Sequence, residues 1–222
     1  MNGLSIEQSG YRLGTIHAPT RLEDAGELSF EIIAPDGRPV TEYEASHERD
    51  LHLVVVRADG AEFSHVHPEL NHSTGTWSLP WTWKKAGTYR VFADLLPADS
   101  QHDHALTLTR TVHVAGDFAP QTPELTTSDS IDGFDATISG SLVTGDVSQL
   151  TIAISRESQP VTAIQPYLGA FGHLVALREG DLGYLHIHPE SESPRPGETS
   201  GPEISFMAHA PTPGKYLLYF DF

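Results

Sequence analysis

The chain has 222 residues, and its 13 Lys and Arg against 30 Asp and Glu give a formal net charge of −17 at pH 7. Phosphate backbones and anionic lipid repel so acidic a chain, which excludes nucleic acid and membrane surfaces as partners. The absence of cysteine excludes disulfides, Cys-ligated zinc, iron–sulfur clusters and thiolate nucleophiles. No run of about 18 apolar residues occurs, so we predict no membrane span.

Most of the chain consists of two copies of one unit. The segment 39–60, PVTEYEASHERDLHLVVVRADG, aligns without a gap on 160–181, PVTAIQPYLGAFGHLVALREGD. The same offset aligns HVHP at 65–68 with HIHP at 186–189. Repetition on this scale predicts two domains of one architecture. We place repeat 1 at 1–116, a Pro-, Ser- and Thr-rich linker at 117–130, and repeat 2 at 131–222.

Each copy has the pattern of short β-strands. The stretch LHLVVVRA (51–58) is rich in β-branched residues, and GTYRVFADL (87–95) and HALTLTRTVHVAG (104–116) alternate apolar with polar residues. Turn sequences such as APDGRP, RADG and KKAG separate them. We therefore predict an all-β chain of two tandem β-sandwich domains, immunoglobulin-like or cupredoxin-like. Repeat 2 stops at YFDF, so we expect its last strand to be missing and the natural chain to continue past Phe222.

The repeated histidines predict metal binding. Residues two apart in a strand face the same way, so each His-x-His pair projects from one face, and the following Pro places it near a strand end. A third His, on the preceding strand of each copy, is a cross-strand neighbour. Three imidazoles with an open coordination position suit Zn²⁺ or Cu²⁺. The predicted ligands are His52, His65 and His67 in repeat 1, and His173, His186 and His188 in repeat 2.

Three further residues are weaker candidates. Asp94 and Asp221 align near strand ends and are either a fourth ligand, a partner to an imidazole N–H, or solvated carboxylates. His47 aligns with Leu168, so it enlarges only the first site. Methionine is nearly absent, with two in the chain, and this favours Cu²⁺ or Zn²⁺ over copper(I).

The stretches HERDLHLVVVRADGAEFSHVHPEL and QPYLGAFGHLVALREGDLGYLHIHPE resemble those of exported actinobacterial proteins described as heavy-metal-binding or hypothetical secreted proteins. The likeness covers nearly the whole chain. It implies an extracytoplasmic location, secreted or at the cell surface, with the export signal absent from this sequence. It carries over the histidine pattern but little mechanism.

We therefore predict that the protein binds a divalent transition metal, copper or zinc, for sequestration or for delivery to a metal-transfer partner protein. Imidazole binds metal in its neutral form, so binding weakens below about pH 6.5. Two alternatives stay open at this point. One is a protein- or glycan-interaction module without metal, and the other is a metal-dependent enzyme using the open coordination position. The sequence favours a non-enzymatic role, because it contains no recognisable catalytic motif.

Overall fold

The computed structural model describes residues 3–46, 48–98, 104–185, 187–190 and 194–222, and at residue 188 it describes the backbone alone. The chain divides between Pro123 and Glu124 into two compact units. Each unit is built of antiparallel strands, which confirms the predicted all-β chain with two tandem domains. No helix in the described residues is long and apolar enough to cross a membrane.

The first unit forms two sheets, one in the order β1-β2-β3-β7-β6 and one in the order β5-β4-β8-β9. Its described strands are β1 (Glu7–Gln8), β2 (Tyr11–Leu13), β3 (Gly26–Ile33), β4 (Leu51–Arg57), β5 (Ser64–Val66), β6 (Glu69–Asn71), β7 (Thr76–Trp81), β8 (Gly87–Leu95) and β9 (Leu106–Val114).

The second unit also forms two sheets, one in the order β10-β11-β12-β17-β16 with β13 beside β12, and one in the order β15-β14-β18. Its described strands are β10 (Ser128–Ile131), β11 (Phe134–Gly140), β12 (Val147–Arg156), β13 (Gln159–Pro160), β14 (His173–Arg178), β15 (Tyr184–Leu185), β16 (Ile187–Pro189), β17 (Glu203–His209) and β18 (Tyr216–Asp221). Residues 128–130, predicted as linker, belong to β10, because Ser128 pairs with Thr137 of β11.

The core of each unit lies between its two sheets. In the first unit, alternate residues of β3 such as Leu28 and Phe30 pack in one cluster with Leu53 and Val55 of β4. In the second unit, residues of β12, β16 and β17 pack with residues of β14 and β15 in the same way. Period-two burial is what strands covered on one face require, and both units are therefore β-sandwiches.

The strand registers of the two units coincide. Leu28 of β3 faces Leu79 of β7, and the aligned Leu150 of β12 faces Phe206 of β17. Within the described residues no strand corresponding to β9 pairs with β18, whereas the aligned β8 pairs with β9 along its full length. Apart from this last strand, the duplication therefore extends from the amino-acid sequence to the backbone pairing.

A buried ion pair closes the turn after β4. The guanidinium of Arg57, almost fully buried, donates two hydrogen bonds of 2.9 Å to the carboxylate of Asp59. Asp59 also accepts hydrogen bonds from the backbone N–H groups of Ala61 and Gln121, and the ring of Phe118 lies 5.4 Å from the guanidinium. Burial raises the pKa of Asp59, but the hydrogen bonds from Arg57, Gln121 and Ala61 outweigh it, so this pKa lies below its ordinary value.

We expect Asp59→Asn to lower the free energy of unfolding of the first unit by about 3 kcal/mol, because it leaves a buried guanidinium without a counter-charge. The matched control is Asp36→Asn, whose pair with Arg38 is exposed and whose loss is expected to lower the free energy of unfolding far less, because solvent screens an exposed ion pair. Urea unfolding followed by Trp fluorescence reports on this unit alone, since the chain's tryptophans all lie in it: Trp77, Trp81 and Trp83.

The same variant tests the pKa shift. A carboxyl whose pKa is lower in the folded state stabilises the fold above its unfolded pKa, and this stabilisation is lost as pH falls through the folded pKa. Between about pH 5 and pH 3, near and below the ordinary pKa of Asp, the wild type should therefore lose more stability than Asp59→Asn. Parallel curves for the two proteins would show that Asp59 has an ordinary pKa.

Candidate metal centre

Three histidines of the first unit meet at one end of the β4–β5 ladder. His52 lies on β4, His65 on β5, and His67 directly after β5. Val54 pairs with His65 and Leu53 with Val66, so continuing the register brings His67 opposite His52. Directly opposed residues of an antiparallel pair project on the same side, as do residues two apart in one strand. The ladder thus places the three imidazoles on one face, and all three are half-buried.

Two of the three distances between the ring nitrogens fit a shared metal ion. Nδ1 of His52 lies 3.1 Å from Nε2 of His65 and 3.1 Å from Nε2 of His67. One nitrogen from each ring belongs to a group in which all atoms lie within 4.8 Å of one another. With metal–nitrogen bonds of about 2.05 Å, ligand nitrogens are about 2.9 Å apart at a right angle and about 3.4 Å apart at the tetrahedral angle. The value of 3.1 Å lies between the two.

The remaining nitrogen of His52 is held by the main chain. Its Nε2 lies 2.9 Å from the carbonyl oxygen of Ser46. A tight turn presents that oxygen: the N–H of Ser46 donates to the carbonyl of Arg49, and the N–H of Arg49 donates to the carbonyl of Ser46. Glu48 inside the turn adopts a left-handed backbone with φ of 62°. Metal-binding histidines commonly have such an outer partner, which fixes the ring orientation.

Asp94 lies beside the three histidines without joining their group. It pairs with His52 across the β4–β8 ladder and is 8% exposed. Its Oδ1 accepts a hydrogen bond of 3.4 Å from the hydroxyl of Thr107, and the group of possible ligands does not include it. The structure therefore places this candidate on the strand next to the site, where a carboxylate favours a bound cation through its charge.

The second unit repeats the surroundings of His52 at His173. Nε2 of His173 lies 2.9 Å from the carbonyl oxygen of Tyr167, and Asp221 pairs with His173 across the β14–β18 ladder. Tyr167 and Ala170 exchange the same two backbone hydrogen bonds as Ser46 and Arg49. His173 is more deeply buried than His52, with an exposure of 8%.

The structure does not describe the side chains of three predicted ligands. His47 and His186 lie outside the described residues. Residue 188 lies in β16, where its backbone pairs with Met207. Among the described residues, the histidines that were not predicted as ligands do not belong to the group of possible ligands; His72 contacts Thr41, His113 contacts Thr88 and His209 contacts Gly145.

Sequence reasoning missed the carbonyl partners of His52 and His173. The gapless alignment of 39–60 with 160–181 contains both turns, and it was the only signal available. A main-chain acceptor leaves no mark in residue type: Ser46 and Arg49 align with Tyr167 and Ala170, whose side chains differ from theirs in size and, at the second position, in charge. The sequence marks only one feature of the turn: Glu48, which adopts the left-handed conformation, aligns with a glycine, Gly169, which does so too (φ of 71°).

One family model matches both repeats, at residues 7–114 and 129–222, and its description is Domain of unknown function (DUF8832). The two matched regions agree with the tandem β domains of the structure. No curated protein matches the chain.

We expect Glu48→Val to destabilise the first unit by about 1–2 kcal/mol, because a β-branched residue is poorly tolerated in the left-handed region. Glu48→Gly is the matched control and should stay within about 1 kcal/mol of the wild type, since glycine adopts this conformation readily. The Glu48 side chain is exposed, so both variants remove few contacts. Urea unfolding followed by Trp fluorescence measures the difference, and equal stabilities would contradict the assigned turn.

Proposed function

The chain belongs to the family described as a domain of unknown function (DUF8832), and from its own residues we propose that it binds a divalent transition-metal ion, Cu²⁺ or Zn²⁺, through His52, His65 and His67. The observation that carries this proposal is the convergence of three ring nitrogens within 4.8 Å. Imidazole nitrogen suits both metals, and the chain has no cysteine and only two methionines to favour copper(I).

Charge and exposure support binding of a cation that exchanges with solvent. The chain carries a formal charge of −17, and Asp94 places a buried carboxylate across the ladder from His52. A negative field raises the local concentration of cations and their rate of association. Half-buried ligands leave the ion reachable from outside the protein.

We propose that the physiological role is sequestration of the metal or its delivery to a partner protein outside the cytoplasm. A site with three protein ligands leaves at least one coordination position for water or for a ligand supplied by a partner. Transfer between proteins proceeds readily through such a position, because the partner's ligand can bind before the donor's ligands leave. The resemblance to exported proteins supports the proposed location.

We also propose a second site of the same kind in repeat 2, at His173, His186 and His188. The aligned turn and carbonyl partner at His173 support it. The neighbouring strand supports it as well: Asp221 pairs with His173 as Asp94 pairs with His52.

We expect His65→Ala/His67→Ala to weaken Zn²⁺ and Cu²⁺ binding at the first site by more than about 100-fold, since loss of outer partners alone costs about 10–100-fold. At Zn²⁺ concentrations about 100 times the dissociation constant, the wild-type first unit should gain about 2.7 kcal/mol of stability, and the variant should gain none. Calorimetric titration and Trp-monitored urea unfolding measure the two effects.

The control for this variant is His113→Ala, which removes an exposed strand histidine from β9 and should bind metal as the wild type does. If the double variant and the wild type bind with equal affinity, His65 and His67 are not ligands. If the wild type binds neither metal, the proposed function is wrong.

If both sites bind metal, the chain should bind two ions, and a variant that disables one site should bind one. Protein purified without a histidine tag and loaded with Zn²⁺ should hold one metal ion per repeat by elemental analysis. His173→Ala should lose the ion of repeat 2 and retain that of repeat 1, while His65→Ala/His67→Ala should do the reverse. A metal content that His173→Ala leaves unchanged would remove repeat 2 from the proposal.

A further inference from the structure

The ring nitrogens that face one another at the first site cannot all be unprotonated unless a cation lies between them. Nδ1 of His52 lies 3.1 Å from Nε2 of both His65 and His67. At that distance two bare lone pairs repel each other, whereas one N–H facing one lone pair forms a hydrogen bond. In the metal-free protein with these ring positions, a proton therefore lies between His52 and at least one of its neighbours.

The carbonyl of Ser46 decides which nitrogen of His52 carries a proton. A carbonyl oxygen only accepts hydrogen bonds, so Nε2 of His52, 2.9 Å from it, must be the donor. In the neutral ring the other nitrogen then has no proton. Nδ1 of His52 is consequently the acceptor, and Nε2–H of His65 or His67 is the donor.

We propose that the turn Ser46–Arg49 is a positioning device that makes Nδ1 of His52 its metal-binding atom, while His65 and His67 bind through Nε2. This inference rests on the proposed function and specifies the coordination of that site. A metal ion bound there would take the place of the Nε2–H proton that the neighbouring ring donates to Nδ1 of His52. His52 keeps its tautomer, and the donor ring loses the proton on Nε2 and takes one up on Nδ1, so it stays neutral.

The second unit supports the assignment independently. The carbonyl of Tyr167 holds Nε2 of His173 at 2.9 Å, although Tyr167 aligns with Ser46 and the two side chains differ. What the duplication has kept is a main-chain acceptor six residues before the histidine. A device that depends on the backbone alone survives such substitutions, and Ser46→Ala should therefore change neither the tautomer nor the affinity.

Long-range ¹H–¹⁵N NMR of the full chain, with and without Zn²⁺, tests the tautomers directly. We expect the signals of His52, assigned through a His52→Gln variant, to show a proton on Nε2 and none on Nδ1 in both states. We expect His65 or His67 to change from the Nε2–H to the Nδ1–H form when Zn²⁺ binds. A proton on Nδ1 of metal-free His52, or a change of its tautomer on adding Zn²⁺, would overturn the inference.

Carboxylate substitutions test the ligand atoms. The oxygens of Asp are attached at Cγ, as Nδ1 of histidine is, whereas those of Glu lie one bond further out, as Nε2 does. His52→Asp should therefore bind Zn²⁺ at least about tenfold more tightly than His52→Glu, whose carboxylate would face the Ser46 carbonyl. At position 67 the order should reverse, with His67→Glu tighter than His67→Asp.

The outcomes separate this inference from the proposed function. If the wild type binds Zn²⁺ but Glu is favoured at position 52, or Asp at position 67, the metal site stands and the assigned ligand atoms are wrong. Absence of Zn²⁺ binding in the wild type would remove the metal site, and with it the assignment of ligand atoms. Circular dichroism of each variant confirms that a loss of binding is not a loss of fold.

Discussion

The register between β4 and β5 is the constraint on which the candidate site depends. It brings His67 opposite His52 and places His65 two pairs further along, opposite Val54. A slip of one residue would turn every side chain of β5 to the other face of the sheet and separate the imidazoles. The core prevents such a slip, because Leu53 and Val55 of β4 are fully buried between the sheets. The packing of the sandwich therefore fixes the geometry of the site.

The two repeats share this backbone plan but differ around it. His52 and His173 face Asp94 and Asp221 at the same ladder position, and each ring is held by a carbonyl of the preceding turn. The surroundings of His173 are more apolar, since Leu185 takes the place of Ser64. An apolar shell slows solvent access and changes the local dielectric. Duplication has thus preserved the hydrogen-bonding frame and varied the side chains that control access.

The half-buried polar atoms of the site need hydrogen-bond partners, and both ring nitrogens of His52 have them. Outside the site, the same requirement appears at Arg57, whose buried charge is met by Asp59. The aligned Arg178 has Gly180 in place of that aspartate and donates instead to the hydroxyl of Thr212 at 2.6 Å. Both arginines therefore find a local partner, even where the repeats have diverged.

The sequence by itself determined the class of fold, the duplication and the residue types at the site. Strand periodicity and turn residues are local features that can be recognised in the sequence. The His-x-His-Pro motif occurs in both repeats, so His52, His65 and His67 could be identified as neighbours. It did not determine the start of β10, where pairing of Ser128 with Thr137 overrides a linker-like composition. Nor could it determine which ring nitrogen of His52 faces its neighbours. Tertiary structure decided that point, because the Ser46 carbonyl belongs to the main chain, and its direction depends on the turn rather than on the residue that carries it.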